Sequence, residues 1–87
     1  MEDIEVLNFN KDKYKLICLH VQTIPNINIH EIINDCGVIN GHFFLYEQYR
    51  QKNDVKQCER KLYLLNAAIA QLNKSAKTSY TISDFID

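Results

Sequence analysis

The chain has 87 residues and a net charge of −1, with 46% apolar and 24% charged residues. Those values predict one folded domain over residues 1–87. They exclude a disordered chain and a molecule whose overall field attracts nucleic acid. No apolar run follows a basic N-terminus and none is long enough to span a bilayer. We therefore expect a cytoplasmic protein, or one of the host cytoplasm if the source is viral.

The first predicted element is an N-terminal β-hairpin. Its first strand, Ile4–Phe9, is short and rich in β-forming residues, and its second, Tyr14–Ile24, alternates apolar and polar side chains. The alternative for the second segment is an amphipathic helix. The apolar stripe of that helix consists of Tyr14, Ile17, Val21 and Ile24. The β-branched residues near the end of the segment favour the strand.

Two short helices are predicted next. The first covers about residues 29–36, because Asn28 starts a capping box and Gly37 suits the position that follows a helix. The second covers about residues 42–52 and begins after Asn40, which is a good N-terminal cap. The alternative for this second part is a tight hairpin turn at the Asn-Gly pair.

A long helix over about residues 55–76 carries the most regular pattern in the chain. Its apolar residues recur at alternating spacings of three and four, which is the heptad pattern of a coiled coil. Apolar residues also flank this seam, so we expect the helix to be buried on more than one side. We predict a homodimer or higher homo-oligomer, with an interface formed by Val55, Cys58, Leu62, Leu65, Ile69 and Leu72.

These elements together predict an α+β fold, with the hairpin, the two short helices and the long helix following one another in that order. Residues 78–87 are predicted to form either a short strand or a flexible tail. The alternative fold class is an all-α helical bundle.

The segment His30–Tyr49, HEIINDCGVINGHFFLYEQY, has the spacing of a helix-turn-helix DNA-binding motif, with a glycine at the turn. It resembles the start of MerR-type regulators at Ile29, Glu31, Ile32, Gly37, Val38, Phe43, Tyr46 and Glu47. The resemblance implies a DNA-binding transcriptional regulator, although the basic wing of that family has no counterpart in this sequence. In this alternative, the nucleic-acid contacts come from Asn40, His42, Arg50, Lys52 and Lys56.

The outward side chains of the same segment favour a protein partner over DNA. Several of them are apolar, and residues 29–49 contain no Lys or Arg that could neutralise phosphates. The predicted partner-binding residues are Ile39, Phe44, Leu45 and Tyr49. We therefore expect a small regulatory or inhibitory protein that acts by binding another protein, by analogy with small motif-free chains of phages and mobile elements.

The sequence carries no recognisable motif for catalysis or cofactor binding. It has no glycine-rich phosphate loop and no nucleophile or metalloprotease signature. The three cysteines, Cys18, Cys36 and Cys58, are too widely spaced for a usual zinc site, and their odd number does not suggest a disulfide framework. We expect reduced, buried thiols, no cofactor or metal, and a protein that is not an enzyme.

Overall fold

Three α-helices make up most of the computed structural model, which describes residues 7–87. In chain order they are α1 (Lys11–Gln22), α2 (Ile29–Gln51) and α3 (Val55–Ala76), and a 3₁₀ turn at Ile82–Phe85 follows them. The described residues contain no β-sheet, only an isolated antiparallel bridge between Phe9 and Ile86. The α+β prediction is therefore wrong, and the alternative of an all-α bundle is confirmed.

α2 is one continuous helix of 23 residues, so the prediction of two separate short helices is wrong. Asn28 caps it as predicted, its side-chain oxygen accepting a hydrogen bond from the Glu31 backbone N–H at 3.3 Å. Gly37 and Gly41 lie inside the helix, and each costs about 1 kcal/mol relative to alanine. The buried face of the helix extends past the positions of both glycines. Its residues recur at alternating spacings of four and three, and they are Ile32, Cys36, Ile39, Phe43 and Tyr46. Packing of this face offsets the cost of the glycines.

α3 confirms the predicted helix over residues 55–76 and lies antiparallel to α2. The connection between them is short. Asn53 adopts the left-handed conformation, with φ of 57°, and the Asp54 side chain accepts a hydrogen bond from a first-turn N–H of α3 at 3.2 Å. At the far end of the pair, Ser75 Oγ donates to the Glu31 carboxylate at 3.0 Å. These contacts fix the register of the two helices.

α1 contains most of the segment Tyr14–Ile24, so the prediction of an N-terminal β-hairpin is wrong. Half of the first predicted strand, residues 4–6, lies outside the described residues, and residues 7–9 form no strand beyond the bridge at Phe9. The alternative helical stripe is the correct interpretation. Its buried or half-buried members are Tyr14, Ile17, Val21 and Ile24. Burial of one side at helical spacing, together with the Asn10 cap, overrides the β-forming tendency of the valine and isoleucines.

The segment that follows α3 packs back onto the core. Lys77 ends α3 in the left-handed conformation, with φ of 58°. The Asn73 side chain then holds the turn, donating to the Tyr80 carbonyl at 2.8 Å and accepting from the Tyr80 N–H at 2.9 Å. Phe85 is fully buried, and its carbonyl accepts a hydrogen bond from the Asn10 N–H at 2.9 Å. The end of the chain is thereby joined to the start of α1.

The molecule is elongated, measuring 48 × 20 × 18 Å. The pair formed by α2 and α3 sets its long dimension, because helices of this length extend about 33 Å. α1 and the C-terminal segment share a single core with this pair. The side of α2 that faces away from the core is left exposed along its length.

Candidate functional site

The exposed side of α2 carries two large apolar side chains among neutral residues, with Glu47 at its edge. Phe44 is 58% exposed and Ile33 is 52% exposed, although the opposite side of the same helix is completely buried. Gly37, Asn40 and Gly41 lie between them on the same side and are exposed as well. We call these five residues the outer face of α2.

A groove of about 290 Å³ opens beside Phe44. It is lined by Phe9, Lys11, Asn40, Gly41, Phe44 and Glu47. α2 supplies one wall, and the residues at and just before the start of α1 supply the other. The volume is near the lower limit of small-ligand pockets, about 300 Å³, and gives room for one aromatic side chain. Lys11 and Glu47 place one cation and one anion at its rim.

Phe9 forms a firm wall of the groove because aromatic contacts fix its ring. The ring stacks on Phe43 at a centroid distance of 4.2 Å and an interplanar angle of 5°, and it meets Tyr14 edge-on at 5.5 Å. The bridge to Ile86 holds its backbone. The wall is therefore continuous with the packed core.

Gly37 and Gly41 are not required by any contact among the described residues. A Cβ atom added at either position meets no other atom within 4 Å. Neither glycine has a positive φ, so alanine fits both positions without backbone strain. Alanine is favoured over glycine in an exposed helix by about 1 kcal/mol. The two glycines thus leave a strip of bare backbone on the outer face at a cost in stability.

Among the predicted partner-binding residues, Phe44 alone lies on the outer face. Ile39 is completely buried in the core, and Leu45 and Tyr49 are half-buried. Ile33 was not predicted, because the expected helix end at Gly37 separated it from Phe44. In one continuous helix these two residues are 11 positions, or about three turns, apart, and so lie on the same side.

The residues predicted to form the self-association seam pack inside the monomer. Cys58, Leu65, Ile69 and Leu72 are buried, and Val55 and Leu62 are half-buried. The heptad spacing of α3 is met by α2 of the same chain, which lies beside it as in an antiparallel coiled coil. The exposed side of α3 carries Lys56, Arg60, Tyr63, Ala67, Ala70 and Lys74.

The predicted nucleic-acid contacts lie on different parts of the molecule. Asn40 is on the outer face of α2, whereas Lys52 and Lys56 flank the connection between α2 and α3. The Arg50 guanidinium donates to the Leu7 carbonyl at 3.4 Å and is half-buried. The turn expected at Gly37 does not form, because α2 runs through that position as a regular helix.

Two side-chain atoms on the inner side of α2 are buried and lack a hydrogen-bond partner among residues 7–87. They are Asp35 Oδ2 and His42 Nδ1. Burial lowers the pKa of His42 below its ordinary value, and the positive charge of Lys61 on α3 lowers it further. The lowered pKa disfavours the charged form of His42 and makes it a weaker source of positive charge for a phosphate contact.

Three side chains connect α1 to α2 in an arrangement that sequence reasoning missed. Tyr14 Oη donates to the Cys36 carbonyl at 2.8 Å, and Cys18 lies one turn after Tyr14 on α1. Hydrogen bonding from Cys36 and Tyr14 lowers the pKa of Cys18, in spite of its partial burial. The hydrogen bond to Cys18 and burial raise the pKa of Cys36. The sequence alone could not predict that Cys18 and Cys36 influence each other's pKa, because Cys18 was expected on a strand.

The sequence matches no protein-family model, no curated protein and no solved structure. Within the part of the chain that the structure describes, no three His, Cys, Asp or Glu side chains are grouped as a metal ion requires. Among the described helices, none is both long and apolar enough to cross a membrane.

Proposed function

We propose that the chain is a small non-enzymatic regulatory protein that acts through protein–protein binding, with the outer face of α2 as its binding surface. The proposed occupant of this surface is the same face of a second copy. The observation that carries the proposal is the exposure of Phe44 and Ile33 on either side of two glycines that the monomer does not need. Exposed apolar side chains grouped on one face are typical of interaction surfaces.

The absence of charge on the outer face suits pairing with itself. Ile33, Gly37, Asn40, Gly41 and Phe44 are all neutral, so two such faces meet without repulsion between like charges. The same neutrality gives little support to a DNA-binding role, because phosphate neutralisation by Lys and Arg supplies much of the affinity for DNA.

Four of the five outer-face residues have the same spacing in both directions along the helix. Ile33, Gly37, Asn40 and Phe44 are separated by four, three and four residues. This spacing is compatible with a two-fold axis that crosses α2, about which each copy presents the same residues to the other in reverse order. With the axis between Gly37 and Asn40, Phe44 of one copy packs against the partner's Ile33, and Asn40 packs against the partner's Gly37.

The glycines permit a close approach of the two helices. Packed helices are usually separated by about 8–10 Å between axes, and small residues at the crossing point allow the lower end of that range. Backbone contact at Gly37 and Gly41 buries surface that side chains would otherwise cover. In the dimer, this contact offsets the low helix propensity of glycine.

The size of the face predicts a weak dimer. A strip about 17 Å long and 10 Å wide covers roughly 170 Å² on each copy, whereas stable complexes bury about 800 Å² on each partner. We therefore expect a dissociation constant on the order of 100 µM, and a mixture of monomer and dimer that depends on concentration.

Sedimentation equilibrium of the purified chain between about 10 µM and 1 mM tests the proposal. The apparent mass is expected to rise from the 10.2 kDa of the monomer towards twice that value at the highest concentrations. Phe44→Glu is expected to keep the mass at 10.2 kDa throughout, because it places two negative charges in the apolar dimer interface.

Tyr63→Glu is the matched control, because Tyr63 is 74% exposed on α3 and does not belong to the outer face. This variant is expected to associate like the wild type. A wild-type chain that remains monomeric at 1 mM, or association that Tyr63→Glu abolishes as completely as Phe44→Glu, overturns the proposal. Circular dichroism of each variant verifies that the helices are retained.

A further inference from the structure

The groove beside Phe44 has aromatic rings in both of its walls. Phe9, fixed by its stack on Phe43, belongs to the wall before α1, and the exposed ring of Phe44 belongs to the wall of α2. The volume of about 290 Å³ gives room for one aromatic side chain. Because aromatic rings attract one another in stacked and edge-to-face contacts, the groove favours an aromatic ligand over an aliphatic one of similar size.

Three polar side chains also line the groove, and they are Lys11, Asn40 and Glu47. None of them makes a side-chain hydrogen bond or an ion pair within residues 7–87. Lys11 is the first residue of α1, and Glu47 lies on α2 one turn after Phe44, so the cation and the anion come from different walls. Glu47 is half-buried, and the reduced contact with water strengthens its attraction for a cation.

We infer that the groove binds a free aromatic α-amino acid such as phenylalanine, with the ligand ring between Phe9 and Phe44. The ligand carboxylate pairs with Lys11, and its ammonium group pairs with Glu47. A free amino acid carries both charges beside the ring. An aromatic residue at the N-terminus of a protein carries only the ammonium group, and one at the C-terminus carries only the carboxylate.

This inference goes beyond the proposed function and does not rest on it, because every residue that lines the groove belongs to one copy of the chain. The small size of the ligand predicts weak binding. A ligand of about 12 non-hydrogen atoms, such as phenylalanine, binds at ordinary efficiency with a dissociation constant on the order of 1 mM.

Saturation-transfer difference NMR of the full chain with L-phenylalanine tests the inference. The protein is held near 10 µM, where we expect the monomer, and the ligand is titrated from about 0.1 to 10 mM. The signal of the ring protons is expected to saturate with a dissociation constant on the order of 1 mM. Two analogues, 3-phenylpropionate without the ammonium group and 2-phenylethylamine without the carboxylate, are each expected to bind about threefold to tenfold more weakly.

Variants that remove one charge assign each ligand group to its partner. In Glu47→Gln, L-phenylalanine is expected to bind no more tightly than 3-phenylpropionate, because the ammonium group has lost its partner. In Lys11→Gln, it is expected to bind no more tightly than 2-phenylethylamine. Lys15→Gln is the matched control, because Lys15 is exposed one turn further along α1 and does not line the groove. This variant is expected to keep the wild-type preference, and circular dichroism verifies that each variant retains its helices.

Three results overturn the inference. The first is a signal that rises without saturation up to about 10 mM ligand. The second is an analogue that binds the wild type as tightly as L-phenylalanine does, which for 3-phenylpropionate indicates recognition of a C-terminal aromatic residue instead. The third is a preference that Lys15→Gln abolishes as completely as Glu47→Gln. The first two use the wild-type chain, so they do not depend on the folding of a variant. Sedimentation of the chain without ligand tests self-association separately, so either proposal can fail while the other holds.

Discussion

Phe43 and Phe44 are adjacent in the sequence and occupy opposite environments on one helix. Phe43 is fully buried and stacks on Phe9, whereas Phe44 is exposed beside the groove. α2 therefore has large apolar side chains on two sides, of which only the inner side is buried in the described fold. The inner side joins the helices into a fold, and the outer face is apolar without any contribution to that fold. Apolar surface that folding does not use is the surface available for binding.

Substitution of these two residues by alanine should give the largest difference between the two sides. Phe43→Ala is expected to lower the free energy of unfolding by about 3–5 kcal/mol, because it removes the centre of the aromatic cluster and leaves a cavity. Phe44→Ala is expected to change it by less than about 0.5 kcal/mol. Urea denaturation of the monomer, followed by circular dichroism, measures both values.

Equal losses in the two variants would show that Phe44 contributes to the core, and the distinction between the two sides would fail. The measurement should be made near 10 µM, roughly tenfold below the expected dissociation constant, so that dimer formation does not add to the apparent stability of the wild type.

The helix boundaries show how much of this fold the sequence could predict. The cap at Asn28 and the extent of α3 are local signals, and the structure confirms them. The continuity of α2 is not a local property. Gly37 is suited to a helix end, and only packing of the inner side, on both sides of that glycine, keeps the helix intact.

The conformation of α1 is a second feature that the sequence alone could not predict. Its segment contains both a strand-like alternation and a helical stripe, and the choice depends on what the segment packs against. The stripe that includes Ile17 and Val21 is buried, so the helix is favoured. The partial burial of Cys18 against the core follows from that helix. The exposure of Phe44 was predicted, whereas the burial of Ile39 was not, because the assumed turn at Gly37 altered which positions share a side.

Replacement of both glycines is expected to have a smaller and opposite effect. Gly37→Ala combined with Gly41→Ala should raise the free energy of unfolding of the monomer by about 1–2 kcal/mol, because both positions are helical and open. The same double variant should weaken self-association, since the two methyl groups added to each copy then hold the paired helices apart. Urea denaturation and sedimentation equilibrium measure the two effects on one sample.

A gain in monomer stability together with unchanged association would mean that the glycines are not in contact in the dimer. The proposed crossing point would then be wrong, even if the chain does dimerise. A loss of monomer stability would instead show that the bare backbone strip is needed within the chain itself. Ala67→Gly on the exposed side of α3 is a suitable reverse control and should lower stability by about 1 kcal/mol.

The smallest expected effect concerns His42 on the inner side. Its pKa in the folded chain lies below the ordinary value of 6.5, because burial and the nearby charge of Lys61 disfavour the protonated form. The unfolded chain therefore binds the proton first as the pH falls below about 6.5, and the folded state loses stability from there down to the lowered pKa.

Unfolding of the wild type at pH 7.5 and 5.5 should show this loss, and His42→Gln should show less of it. His30→Gln, at an exposed position on the same helix, should retain the wild-type difference. A pH dependence that His42→Gln leaves unchanged would show that the buried imidazole of His42 is not its source.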